Sequence, residues 1–247
     1  MRSLLLLQAL VGSPDGLSVR QLAERTGQSR STVHRMLQEL AEAGMAEQTD
    51  SGGYRLGPRI FEFAATVLAR SSIVDVADRI MQELVDLTNE TAYVAMLTAD
   101  GRHGVHVHRV DSPEPLRYLV PRGTRFPLHA GAAGKAMLAF LAEDAIPDEL
   151  ERITANTVVA RTALDADLAE VRRHGYAVTF EERVKGATGV AAPLRVRDRV
   201  VGSLTLSVPV ARIPEAGLEV YGPAVVEFAD RLSTAMAALG RAEFGVS

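Results

Sequence analysis

The stretch SVRQLAERTGQSRSTVHRML, residues 18–37, decides the fold of the first part of this 247-residue chain. Ser18 is a good N-cap for one predicted helix, and Gly27 tolerates the left-handed conformation in which such a helix ends. A second helix is predicted from Ser29 to just before Gly44. Two helices joined by so short a turn indicate a helix-turn-helix. The second helix has apolar residues at helical spacing, namely Val33, Met36, Leu37 and Leu40.

This second helix is the one predicted to contact DNA. Its apolar residues face inward, so the hydroxyl, imidazole and guanidinium groups of its first turns remain on the outside. Hydroxyl groups and helix N-termini bind phosphate oxygens, and arginine pairs with phosphate or with guanine in the major groove. The alternative is an ordinary solvated helix face. The DNA-contact candidates on this helix are Ser29, Arg30, Ser31, Thr32, His34 and Arg35.

A hairpin is predicted directly after this helix. Residues 45–56 are MAEQTDSGGYRL, in which the Asp-Ser-Gly-Gly segment has the composition of a tight turn between two short strands. A hairpin in this position is a wing, and Arg55 lies close enough to its tip to be a further DNA-contact candidate. Together with a first helix predicted over 2–11, the pattern favours a winged helix-turn-helix over 1–58 and therefore DNA binding.

The charge distribution excludes a protein that coats nucleic acid through general basicity. The formal net charge is −4, with seven Arg against six acidic residues in 1–59 and twenty basic against twenty-five acidic residues in 60–247. DNA affinity must then come from a few arginines at the contact surface and from pairing the winged helix-turn-helix domains of two chains, which we call the heads. The chain has no cysteine, which excludes disulfides and thiolate chemistry. No apolar run approaches the roughly 20 residues that span a bilayer, and we expect a cytoplasmic protein without membrane contacts.

The rest of the chain is predicted to form a linker helix over 59–72, with a hinge near Arg70-Ser71-Ser72, and a second domain over 73–247. The linker helix is expected to help two chains dimerise, because a winged helix usually binds a two-fold site as a pair; plain core packing is the alternative. Mostly antiparallel strands with helices at both ends make an α+β fold. A change of the apolar period to two predicts strands over 93–98, 105–110, 116–120, 176–180, 189–195 and 200–208, followed by a last helix over 215–239.

Short segments spaced along the whole chain carry a family resemblance. STVHRML (31–37) and GYRLG (53–57) occur in the head, and PLHAGAAGKAMLA (127–139), GY (175–176), GVAAP (189–193) and SVP (207–209) occur in the second domain. In this order and spacing they resemble the IclR family of bacterial transcriptional regulators. Single matching residues between these segments are Gly123, Thr157, Thr162, Glu181, Glu182 and Gly186.

The resemblance implies a C-terminal GAF-like effector-binding domain and assembly as a homodimer or homotetramer. It also implies control of a double-stranded DNA operator by a small effector, often a carboxylic acid. Family members usually have a short arm before the first helix. Here that helix is predicted to begin at Arg2, which leaves almost no residues for such an arm. Either minor-groove contacts from an arm are not expected in this protein, or its true start codon lies upstream.

The segment Gly131-Ala132-Ala133-Gly134 is predicted to begin a helix and to bind an anion. Small residues expose the backbone N–H groups, and the helix dipole adds positive potential, which suits a carboxylate. By resemblance, Ala132 and Ala133 lie where family members bind the effector through backbone amides. The alternative is that small residues only allow close helix–sheet packing. Lys135 could attract the anion, although a lysine on a helix surface is more often simply solvated.

The resemblance assigns further effector contacts, with ordinary strand composition as the alternative. Thr205 and Ser207 alternate with apolar residues, so both hydroxyls are predicted on one face of the sheet. Several family pockets have an acid or a cysteine at the positions of Thr179 and Gly189, so this pocket is expected to be less polar and roomier near Gly189. With an aromatic wall at Tyr118, these features favour an aromatic or larger organic acid over a two-carbon acid. The full set is Tyr118, Thr179, Glu182, Gly189, Thr205 and Ser207, in addition to Ala132, Ala133 and Gly134.

Metal and catalytic sites are not expected. His103, His106 and His108 cluster on a predicted hairpin, the last two on one strand face, but no further ligand for zinc is evident. Glu181 and Glu182 are adjacent on a strand and diverge, and no P-loop, Rossmann or nucleophile-elbow segment occurs. We predict a regulator without a cofactor. Two alternatives stay open: an enzyme whose second domain turns over its ligand, and a DNA-binding protein whose second domain only dimerises.

Overall fold

The computed structural model describes residues 2–69 and 72–244, and the chain divides into two compact units, Met1–Ser71 and Ser72–Ser247. Of the predicted hinge, Arg70 and Ser71 lie outside the described residues, and Ser72 begins a helix. The described part of the first unit consists of α1 (Arg2–Val11), α2 (Val19–Thr26), α3 (Arg30–Glu42), β1 (Ala46–Gln48), β2 (Tyr54–Leu56) and α4 (Pro58–Ala69).

Local signals in the sequence set the boundaries of the helix-turn-helix. Ser18 caps α2 in a capping box with Gln21, and Gly27 ends that helix with φ of 65°. The backbones of Leu17 and Tyr54 exchange two hydrogen bonds of 2.8 Å, which joins the wing to the segment before α2. A Cβ on Gly57 would lie 2.2 Å from the carbonyl oxygen of Gly44, which follows α3. Only glycine therefore allows the end of the wing to pack this closely against the segment after α3.

The second unit is a six-stranded antiparallel sheet with helices on both faces. The strand order is β5-β4-β3-β8-β7-β6. Buried residues of α5 and α8 pack on one face of the sheet, and those of α6 and α7 pack on the other. The elements are α5 (Ser72–Thr88), β3 (Thr91–Leu97), β4 (His103–Val110), β5 (Arg125–Pro127), α6 (Ala132–Leu138), α7 (Arg161–His174), β6 (Ala177–Phe180), β7 (Ala187–Val196), β8 (Arg199–Pro209) and α8 (Gly222–Phe244).

The strand predicted over 116–120 is wrong. This segment is an irregular loop, and the short edge strand β5 lies further along the chain. The loop is tied to the sheet by Tyr93, whose hydroxyl donates to the carbonyl of Tyr118 at 2.6 Å and accepts from the amide of Val120 at 3.1 Å. Hydrogen bonds from one side chain therefore hold this segment, in place of the backbone hydrogen bonds of the strand that the apolar pattern predicts. The last helix also begins later than predicted, at Gly222.

A β-bulge in β4 separates two histidines that the sequence had placed on one strand face. His106 is opposite Ala95 and His108 is opposite Val94, so Val107 is the extra residue. His108 contacts Asp78 of α5, with 2.9 Å between Nε2 and Oδ1, whereas His106 lies on the α6 side of the sheet. The prediction that both histidines share a face is therefore wrong.

Candidate DNA-binding and effector-binding sites

The first turns of α3 present the predicted polar groups to solvent. Val33 and Met36 are buried in the core of the first unit, while Arg30 and His34 are exposed and have no ion-pair partner among the described residues. Ser29 is used locally, because its hydroxyl caps α3 by accepting from the amide of Thr32 at 3.3 Å. The unpaired donors of this helix face are available to a phosphate or a base edge. Ser29, Ser31 and Arg35 are also exposed, and Thr32 is half-buried.

Two of the predicted DNA-contact arginines are held by acids of the same unit. Arg35 pairs with Glu39 one turn later on α3, with 2.5 Å between Nη1 and Oε1. Arg55 of the wing pairs with Glu47 on the neighbouring strand, with 2.6 Å between Nε and Oε1. Both pairs are exposed, so each is worth little and can open when a phosphate approaches. The wing turn itself carries Asp50 and no basic residue.

Eight of the nine predicted effector positions line one cavity of the second unit. Its volume is about 560 Å³ including the open mouth. The cavity lies between the sheet, the start of α6 and the two loops that carry Tyr118 and Glu182. The convergence of positions from five different parts of the chain is a property of the fold and not of any local pattern. The eight are Tyr118, Ala132, Ala133, Thr179, Glu182, Gly189, Thr205 and Ser207.

The two glycines of the predicted set serve close packing. Gly134 does not line the cavity, and a Cβ there would lie 2.4 Å from the carbonyl oxygen of Leu128. A Cβ on Gly189 would lie 3.2 Å from the Cβ of Ala132, so strand and helix touch at this point. The space near Gly189 is therefore occupied by α6, contrary to the expectation of a roomier pocket there.

Glu182 and Lys135 form a buried ion pair beneath the cavity. The Lys135 side chain is only 2% exposed, and its Nζ lies 2.5 Å from Glu182 Oε1 and 2.6 Å from Asp167 Oδ2. The other oxygen of Glu182 accepts the amide of Gly131, the N-cap of α6, at 2.9 Å. The expectation of a solvated Lys135 is wrong, and one amide at the predicted anion site already binds a carboxylate.

The sheet contributes hydroxyl groups to the cavity, as the alternation of β8 predicts. Thr205 is opposite Tyr93 and Ser207 is opposite Thr91, so both lie on the same face of the sheet. Thr205 is 8% exposed, and its Oγ1 has no hydrogen-bond partner within the described residues. A buried hydroxyl is normally paired, so this unpaired oxygen is an exception that calls for an explanation.

Among the cavity-lining residues that sequence reasoning missed, two have basic side chains, His106 and Arg183. Burial, and after it the charge of Arg183, lowers the pKa of His106 to about 4, so this imidazole is neutral near pH 7. Burial lowers the pKa of Arg183 to about 10, which leaves it charged. No local pattern distinguishes either residue, because a histidine in a strand and an arginine in a loop usually have other roles.

The described residues hold neither a metal-binding cluster nor a membrane-spanning helix. No three His, Asp or Glu side chains in ranges 2–69 and 72–244 come together as metal ligands. No helix in the same ranges has both the length and the apolar character that crossing a bilayer requires.

Comparison with known families decides the identity of both units. The model of the IclR helix-turn-helix domain matches residues 1–50, and the model of the C-terminal part of bacterial IclR transcriptional regulators matches residues 65–234. The chain belongs to the IclR family. It is a DNA-binding transcriptional regulator with an α+β fold and not an enzyme, and as such it acts in the cell interior.

Relatives and solved structures are similar to this IclR-family regulator over almost its whole length. The HTH-type transcriptional regulator BhcR of Paracoccus denitrificans is 33% identical over 92% of this chain and 84% of its own. The crystal structure of an IclR-type protein from Silicibacter is 26% identical, with a TM-score of 0.87 over 96% of this chain and 95% of that chain. An IclR homolog from Microbacterium hydrocarbonoxydans, solved with 4-hydroxybenzoate, shares the fold at 24% identity, with a TM-score of 0.73 over 98% of both chains.

Proposed function

We propose that this regulator binds a small organic acid in the cavity beside Thr205, and that the bound acid changes the affinity of the winged helix-turn-helix for its operator. The observation that carries the proposal is Thr205, a cavity-lining residue whose buried Oγ1 has no hydrogen-bond partner among the described residues. A ligand with a polar group would satisfy this hydroxyl and recover the free energy that its burial costs. The aromatic ring of Tyr118 at the cavity wall supports an aromatic or larger acid.

The same proposal assigns the DNA contacts to the exposed side of α3 and to the wing. Arg30 and His34 support it best, since both are exposed and have no ion-pair partner in the described part of the chain. Arg35 and Arg55 would exchange their acid partners for phosphates. Ser31 and Thr32 would supply hydroxyl groups to the DNA. Ser29 would contribute as the N-cap residue at the start of α3.

The proposed oligomeric state follows from the two-fold symmetry of typical operators. Winged helices usually bind two-fold sites as pairs, so we expect a homodimer or homotetramer in the cytoplasm. The proposed division is 1–58 for the DNA-binding domain, 59–72 for the linker helix and 73–247 for a GAF-like effector domain. A ligand that binds one relative placement of two DNA-binding heads more tightly shifts the population toward it, and so changes operator affinity.

The test measures DNA affinity with and without carboxylates. The full chain is titrated by fluorescence anisotropy against promoter fragments of its own gene and its gene neighbours. The titrations are repeated with 4-hydroxybenzoate, benzoate, phenylacetate, succinate and acetate. We expect at least one acid to change operator Kd by roughly fivefold or more. If no acid changes either the Kd or the melting temperature, the second unit only dimerises. Turnover of the acid at enzymatic rates would contradict the proposal.

A further inference from the structure

Arg183 occupies a fixed position at the wall of the effector cavity. It lies between β6 and β7, and its aliphatic stem covers Gly131, where an added Cβ would lie 2.6 Å from Arg183 Cδ. The guanidinium carbon lies 4.2 Å from the ring centre of Phe126. Packing on both sides restricts the side chain, so its donors are held at the cavity before any ligand arrives.

The charge of Arg183 has no counter-ion in the described residues. The two acids that precede it in the chain are already used: Glu181 accepts the amide of Gly186, and Glu182 pairs with Lys135. The polar contact of Arg183 is His106, with 3.5 Å between Nη1 and Nε2. A half-buried cation without an anion is unfavourable, and an anionic ligand would relieve that cost.

The surroundings of Arg183 accept an anion without repulsion. His106 is neutral near pH 7, so the imidazole offers a hydrogen bond while the arginine supplies the charge. The only carboxylate among the cavity-lining residues is that of Glu182, which Lys135 compensates. The net charge at this wall is therefore positive because of the guanidinium.

The amides at the start of α6 are a weaker anion site than the sequence indicates. The helix has only seven residues, from Ala132 to Leu138. Its N-cap amide, that of Gly131, already binds the carboxylate of Glu182. A second carboxylate at the same helix end would meet the negative charge of the first.

We propose that the guanidinium of Arg183 pairs with the carboxylate of the effector and makes this cavity select acids over their neutral analogues. The inference rests on the proposed function and specifies its ligand chemistry. Arginine and a carboxylate form two parallel hydrogen bonds, which fix the orientation of the ligand as well as its charge. The rest of the ligand then lies toward the sheet, where Thr205 has an unpaired hydroxyl oxygen.

The test compares carboxylates with their amides. Isothermal titration with 4-hydroxybenzoate and 4-hydroxybenzamide, benzoate and benzamide, and phenylacetate and phenylacetamide is carried out on the full chain. The same titrations are made with Arg183→Gln and with Arg199→Gln, an exposed arginine at the opposite end of β8 from Ser207. We expect the wild type to bind an acid at least about tenfold more tightly than its amide. Arg183→Gln should weaken the acid at least about thirtyfold and remove the preference, and Arg199→Gln should change neither.

A second measurement needs no variant at position 183. An acid paired with Arg183 cancels the positive field at His106 and so raises the pKa of that imidazole, which NMR titration of the wild type measures. The matching amide should leave it unchanged. Equal affinity for acid and amide, an unchanged His106 pKa with the acid bound, or full acid affinity in Arg183→Gln would overturn the inference and leave effector binding intact. If none of the six compounds binds the wild type, the inference and the effector proposal both fail.

Discussion

Lys135 and Glu182 form an ion pair in the interior of the second unit, with 2.5 Å between Nζ and Oε1. Because the same carboxylate accepts the amide of Gly131, it connects the first turn of α6 to the loop after β6. Asp167 of α7 provides the solvent-facing partner of the lysine. One buried cation therefore links α6 to the loop after β6 and to α7.

Removing that cation should destabilise the second unit. Lys135→Met leaves Glu182 buried without a counter-charge, and breaking a buried pair on one side costs roughly 3–5 kcal/mol. Urea unfolding followed by circular dichroism measures the loss. The matched control is Lys185→Met, since Lys185 is exposed and is the other lysine of the chain.

The double variant separates charge from packing. In Lys135→Met/Glu182→Met no charge of the pair is left unpaired, so we expect much of the lost stability to return. If Lys135→Met is no more destabilising than Lys185→Met, the ion pair contributes nothing and our account of it is incorrect.

Stability should fall as the pH is lowered through the range set by His106. The pKa of this imidazole is 6.5 in an unfolded chain and about 4 in the folded unit, because burial and the charge of Arg183 disfavour the charged form. Between these values the unfolded state binds the extra proton. The contribution to stability, up to roughly 3 kcal/mol, is complete above pH 6.5 and is lost toward pH 4.

The variant His106→Asn tests this dependence. It should flatten the curve of unfolding free energy between pH 4 and 6.5, while His174→Asn, at an exposed site on α7, should leave its slope as in the wild type. Parallel curves for wild type and His106→Asn would mean that another group controls the acid sensitivity.

Operator binding should depend on Arg30. Arg30→Ala removes an exposed cation of α3 without an ion pair, so we expect operator Kd to rise roughly tenfold and the fold to be unchanged. Anisotropy titrations at several salt concentrations measure the effect, and loss of a phosphate contact lowers the salt slope by about one. Arg20→Ala on α2 is the control, because Arg20 is exposed but pairs with Glu24. Equal losses in both variants would remove Arg30 from the interface.

The effector response should be lost when the cavity is filled. Ala133 is 3% exposed and lines the cavity, so Ala133→Leu places three additional carbons in it at a packing cost of roughly 1–3 kcal/mol. We expect a folded protein whose operator Kd no longer changes with the acid. Ala163→Leu on the exposed side of α7 should retain the response. A normal response in Ala133→Leu would place the ligand elsewhere.

Short-range chemistry was predictable from the sequence and long-range pairing was not. Ser18 and Gly27 act within one helix, so their residue types suffice to place the ends of α2. The burial of Lys135 depends on acids 32 and 47 residues away, and no periodicity of α6 shows them. The loop at Tyr118 is held by the hydroxyl of Tyr93, 25 residues earlier, which is why an apolar run there did not become a strand.

The candidate effector site followed from resemblance more than from local chemistry. Eight positions came together in one cavity, yet their spacing alone would not have connected β8 to the start of α6. Arg183 was missed because an arginine in a loop is usually solvated. Only its contacts with Gly131 and Phe126, which are distant in sequence, hold it at the cavity.

The extra residue in β4 gives this strand two phases of alternation. His106 and Arg109 face the same side of the sheet although they are three positions apart, since Val107 interrupts the pattern. If every residue of β4 were substituted in turn, the positions at which substitution affects ligand binding would therefore be even-numbered before the bulge and odd-numbered after it. A homologue one residue shorter at this point would keep every inward side chain on its own face, so chain length here can vary without altering the residues that meet the ligand.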